Sequence, residues 1–139
     1  MVDRFHVLVV VITVAWLGLI MARYTCLVKV ATSLDRFRHS LEELLLSCNC
    51  DVIYDADDYV VAREVPGGVA YAKLVTVEVL IDKPSDQPLA LGEEVCLNFV
   101  VKNEELPLQT DNHCWRMFSL VNQAVTESHQ WHLLEHIAG

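Results

Sequence analysis

Apolar residues in this chain keep two different rhythms, and the points where one gives way to the other limit the folds open to it. In YTCLVKVA, Tyr24, Cys26, Val28 and Val30 alternate with Thr25, Leu27 and Lys29, the period of a half-buried strand. In TSLDRFRHSLEELLLSCN the period changes, and Leu34, Phe37, Leu41, Leu44, Leu45 and Cys48 form one helical stripe. Ser33 suits the N-cap and Asp35 the first turn, which predicts a helix over Leu34 to Ser47. CDVIY and DYVVAREV, joined by the acidic turn DADD and closed by Pro66-Gly67-Gly68, predict a hairpin.

Alternation then returns twice. YAKLVTVEVLID sets Val75, Val77, Val79 and Ile81 against Thr76, Glu78, Leu80 and Asp82, and EVCLNFVVK sets Val95, Leu97, Phe99 and Val101 against Glu94, Cys96, Asn98, Val100 and Lys102. KPSDQPLALG between them is a loop marked by Pro84, Pro88 and Gly92. After NEELPLQTDN a final helix is expected from about His113 to Ile137, with Thr110, Asp111 and Asn112 as cap residues and Cys114, Met117, Phe118, Val121, Ala124 and Val125 on its core side. The order β-α-β-β-β-β-α predicts an α+β two-layer sandwich, an antiparallel sheet of about five strands with two helices on one face.

The first twenty residues stand apart from this pattern as an apolar N-terminal extension, leaving residues 21–139 as a single α+β domain. From Val7 to Ala22 sixteen residues pass without a charge, short of the ~20 a membrane helix needs. A secretory signal is not indicated, because Asp3 offsets Arg4 and WLGLIMARYTC offers no small-residue cleavage site. Only Ala22 and Arg23 separate Met21 from the first strand pattern, so a membrane helix here would press an acidic domain into the headgroups. A functional chain starting near Met21, in the cytoplasm, is the leading expectation. A short membrane anchor is the alternative, and membrane contact is expected only through residues 1–22.

The net charge of -9 disfavours sequence-independent nucleic-acid binding. Five cysteines without regular spacing fit a reducing compartment and buried thiols better than a disulfide framework.

The order of elements resembles the TATA-binding-protein-like and START-like α+β folds over Tyr24 to Gly139. DNA-binding members of that group use a basic sheet face, whereas the corresponding face here carries Glu78, Asp82 and Glu94 against Lys29 and Lys102. In wording, CLVKVATSLDRFRHSLEELL, DVIYDADDYVVARE, AKLVTVEVLID and FVVKNEELPLQTDNHCWRMFSLVNQAV are similar to a small family of uncharacterised cyanobacterial proteins that begin near Met21. That resemblance implies a compartment and a start site, and no reaction.

Chemistry-bearing residues are few. His129, His132 and His136 would share one stripe of the expected C-terminal helix, the best metal candidate in the chain, although no fourth ligand is evident. Cys48-Asn49-Cys50 offers two local thiols, and Asp55 to Asp58 offers carboxylates without the glycine and distal glutamate of a calcium loop. His113 and Cys114 are neighbours in sequence but point apart on a helix. No GxSxG, P-loop, GxGxxG or HExxH occurs, and no cofactor is implied.

What remains is surface: Leu27, Leu80 and Val100 on the sheet face away from the helices, and Trp115 on the flank of the last helix. The leading expectation is a small non-enzymatic protein-interaction or assembly factor binding through that face and flank. Its partner and its oligomeric state are not legible. A carrier of a small apolar ligand, held between sheet and C-terminal helix, is the first alternative, and a metal-dependent enzyme using the histidine stripe is the second.

Overall fold

The computed structural model describes residues 21–32, 34–82, 93–106 and 112–138. Strand β1 (Arg23–Thr32) leads into helix α1 (Leu34–Ser47), then β2 (Cys50–Asp55), β3 (Tyr59–Glu64), a 3-10 turn (Tyr71–Lys73), β4 (Thr76–Asp82), β5 (Glu93–Lys102), helix α2 (His113–Glu127) and β6 (His132–Ala138). Six strands form one antiparallel sheet in the order β2-β3-β4-β5-β1-β6. The fold is α+β, with both helices against the face that carries the alternating apolar residues.

That face is built as the sequence periodicity requires. Val28 and Val30 of β1, Val77 and Val79 of β4, and Val95, Leu97, Phe99 and Val101 of β5 are all fully buried. Phe37, Leu41, Leu45 and Cys48 of α1 and Cys114, Phe118, Val121 and Val125 of α2 close over them. Helix α1 covers the β2 side and α2 the β1 and β5 side, and the helices touch each other. Asn49, at φ 61°, turns the chain from α1 into β2, and its carbonyl accepts from Val65 N at 3.0 Å.

Two expectations meet a different outcome, and a third group lies beyond what is described. Tyr71 to Lys73, expected at the start of a strand, form the 3-10 turn, and β4 begins at Thr76. Ser33, Pro84, Pro88, Gly92, Thr110, Asp111 and the apolar extension 1–20 lie outside the described residues. Most consequentially, the final helix stops at Glu127, and the chain returns as β6 beside β1.

The cause is visible in the apolar pattern. Continuing the helix would place Leu133, Leu134 and Ile137 about 100–200° from Cys114, away from the core stripe. Instead Trp131 folds back over the last turn, donating its indole N–H to the Val125 carbonyl at 3.2 Å and burying its ring near Phe37. Leu133 and His136 then face the helix layer across from Val30 and Val28, while Glu135 and Ile137 share the open face with Lys29 and Leu27. Leu134 is the extra residue where the register breaks.

Candidate interaction surface

Because no helix among the described residues covers it, the second face of the sheet is where side chains are available to a partner. Strand register lines its residues into transverse rows. One row runs Tyr59, Leu80, Asn98, Leu27, Ile137 across β3, β4, β5, β1 and β6, a span of about 19 Å at the usual strand spacing. Leu27 is 47% exposed, Leu80 44% and Ile137 62%. Tyr54, displaced by the irregularity in β2, sets its ring 5.9 Å from that of Tyr59 and extends the row's aromatic end.

Ion pairs frame this row on both sides. Lys102 Nζ lies 2.6 Å from Glu78 Oε1, and Lys29 Nζ lies 2.6 Å from Glu94 Oε1 and 4.0 Å from Glu135 Oε2. The Glu94 hydrogen bond, then its charge, raises the Lys29 ammonium above its ordinary range. Burial, followed by the Glu78 charge, pushes the Tyr59 hydroxyl up. Such exposed pairs add little stability but fix long side chains in place beside the leucines.

Of the residues singled out in the sequence, Leu27 and Leu80 come together in one row, on either side of Asn98. Val100 belongs to the same face but is 1% exposed, in register between Glu78 and Thr25, so it forms floor rather than contact surface. Trp115 belongs to the other layer. Its ring packs edge-on against Tyr24 at 5.1 Å and lies 5.6 Å from Phe118. The open face and the Trp115 flank are therefore two surfaces, not one. Ile137, the most exposed apolar member of the row, was hidden in sequence by its place in an expected helix.

The histidines do not form a stripe. His129 lies beyond the end of α2, His132 is exposed at the start of β6, and His136 faces inward with its Nε2 2.5 Å from Asn122 Oδ1. The helical geometry that motivated a metal site is absent, and among the described residues no group of three His, Cys, Asp or Glu side chains could hold a metal ion. In the acidic turn, Arg38 of α1 pairs with Asp55, donates to the Ala56 carbonyl at 2.8 Å and approaches Asp57 at 3.7 Å. A guanidinium thus already neutralises part of this turn's charge.

Every thiol but that of Cys96 is buried. Burial pushes Cys26 up to about 11, and Cys50 and Cys114 up to about 12. Cys114 points into the core toward the Val101 carbonyl at 3.5 Å. His113 turns instead to Glu64, its Nε2 lying 2.8 and 2.9 Å from the two carboxylate oxygens, while Glu64 also accepts from Val75 N at 3.1 Å. This buried pair joins the end of β3 to the start of α2, a link across 49 positions that sequence spacing does not reveal.

Comparison with protein-family models, with curated proteins and with solved structures finds no match for this chain.

Proposed function

We propose that this chain is a small non-enzymatic interaction or assembly factor that docks a partner protein on its open sheet face. The observation that carries this reading is the exposed set of Leu27, Leu80 and Ile137, held in one register row that crosses five strands and is flanked by ion pairs. Exposed apolar side chains grouped on a rigid face are the usual mark of a contact surface. Glu78, Asp82, Glu94 and Glu135 outnumber Lys29 and Lys102 around them, which favours a partner with an apolar strip and a basic border.

The filling of the interior supports docking over ligand carriage. Phe118, Val121 and Val125 of α2 belong to one buried cluster with Val28 and Val101 of the sheet, and among the described residues no buried side-chain nitrogen or oxygen lacks a partner. The test is a pull-down from native cells with the Leu27→Asp/Leu80→Asp variant beside wild type and Trp115→Ala. The Asp variant should keep the wild-type circular dichroism spectrum and lose specific partners, while Trp115→Ala keeps them. Equal recovery by all three would refute the surface.

A further inference from the structure

The apolar row divides the open face into two halves of opposite charge. Below it, toward the start of β1, register places Arg23, Lys102 and Arg63 in one line with Asp51 of β2, and Glu78 stands between that line and Leu80. Above it stand Asp82, Glu94 and Glu135 with Lys29. Cations are in the majority in the lower half and carboxylates in the upper. The row between them, Tyr59, Leu80, Asn98, Leu27 and Ile137, is uncharged.

This division repeats within single strands. In β5, Glu94 lies four residues before Asn98 and Lys102 four residues after it. In β1, Arg23 lies four residues before Leu27, and Ala31, four residues after it, is in register between Glu94 and His132.

Building on the docking face proposed above, we infer that its partner is a second copy of this chain, stacked face to face about a two-fold axis that runs along the apolar row. Rotation about that axis lays each strand over its counterpart in the opposite direction. Leu27, Leu80 and Ile137 each meet their own counterparts, and the lower half of one copy covers the upper half of the other. Lys102 then opposes Glu94, and Arg23 comes over Ala31 between Glu94 and His132. The second copy thus supplies the basic border that Asp82, Glu94 and Glu135 call for. A two-fold axis along the strands would set the acidic half on itself, which charge disfavours.

Asn98 fits the same symmetry. It is the half-buried amide in the middle of the row, and an amide holds both donor and acceptor, so two copies complete a reciprocal pair. Glu78 over Asp82 is a like-charged match, offset by Lys102 Nζ at 2.6 Å from Glu78 Oε1. Five strands of about 25 Å give the face an outline of about 600 Å², which side-chain relief brings close to the ~800 Å² per partner of a standard interface. Contact of this isologous kind closes with two copies.

Sedimentation velocity of the full chain tests the inference. Wild type should sediment as a dimer at micromolar concentration, and Leu27→Asp/Leu80→Asp should raise the dissociation constant at least about 100-fold. Arg23→Glu/Arg63→Glu makes both halves acidic, and Asp82→Lys/Glu135→Lys makes both basic. Each should be monomeric alone, and the two should pair when mixed. Residues 1–20 are the same in all these proteins, so association through them would not follow this pattern. A monomeric wild type, a dimer indifferent to all three variants, or a mixture that stays monomeric would overturn the second copy. The docking face itself falls only if Leu27→Asp/Leu80→Asp also keeps every partner in the pull-down, so the two readings fail separately.

Discussion

Glu105 joins the loop after β5 to the start of α2, and its replacement by glutamine is a sharp test of how that junction holds. Its two oxygens accept from separate main-chain donors, His113 N at 3.2 Å and Cys114 N at 2.8 Å, while Asn103 Nδ2 lies 2.5 Å from Oε1. Asn112, one of the cap residues legible in sequence, accepts from Trp115 N at 2.7 Å and completes the cap. Glutamine has a single acceptor oxygen, so one helix N–H loses its partner at a cost of about 1–3 kcal/mol. Loss of the charge at the positive end of the helix adds about 0.3–1 kcal/mol. Together these give about 2–3 kcal/mol, a fall in Tm of about 10 °C for a domain of this size.

The pH dependence has a definite sign. Burial pushes the Glu105 carboxyl up, but the Asn103 amide, the Cys114 and His113 N–H groups and Lys73 outweigh it and hold the group below its ordinary 4.5. Its contribution is therefore complete above the unfolded value and is lost as pH falls through the lowered folded one. Thermal unfolding followed by circular dichroism should show the full gap between wild type and Glu105→Gln at pH 7, narrowing toward about pH 3. Glu104→Gln, the exposed neighbour, should change stability by less than about 0.5 kcal/mol. A Glu105→Gln protein as stable as Glu104→Gln, or a gap that persists unchanged in acid, would refute the reasoning.

Phe99→Ala, at a fully buried position in β5, should cost about 3–5 kcal/mol, read as a lower urea midpoint. Asn49→Val should cost about 1–2 kcal/mol by placing a branched side chain at φ 61°, whereas Asn49→Gly should not, as urea titrations of both would show. A maleimide at neutral pH should label the half-buried Cys96 first and spare Cys26, Cys50 and Cys114 until the protein unfolds. Because burial raises those three thiols to about 11, about 12 and about 12, their contribution to stability is intact below the unfolded thiol value and is lost as pH climbs toward 11–12, measurable as a falling Tm in alkali.

Local pattern carried most of the fold. Alternation alone assigns Val77, Val79 and Ile81 to one face of β4, with Val75 just before it on the same side, and all four are buried. Helical spacing places Phe37, Leu41, Leu45 and Cys48 on the core side of α1. It misleads after Glu127, where the three histidines also fit a helical period. The off-stripe positions of Leu133, Leu134 and Ile137 are the signal that could have marked the return strand. The surface row was only partly legible, since Leu27 and Leu80 can be assigned to a face but register decides that they share a row with Ile137. The Glu64–His113 pair and the Glu105 cap depend on long connections that no local window contains.

The irregularities in the two outer strands bear on how the sheet ends. In β2 the pairing shifts around Ile53, and in β6 around Leu134. A strand from another molecule laid along either border would find regular rungs only up to the shift, then meet amides and carbonyls out of phase. Growth of the sheet from molecule to molecule along either of these strands is thereby disfavoured, so the irregular residues guard against fibres as well as shape the sheet.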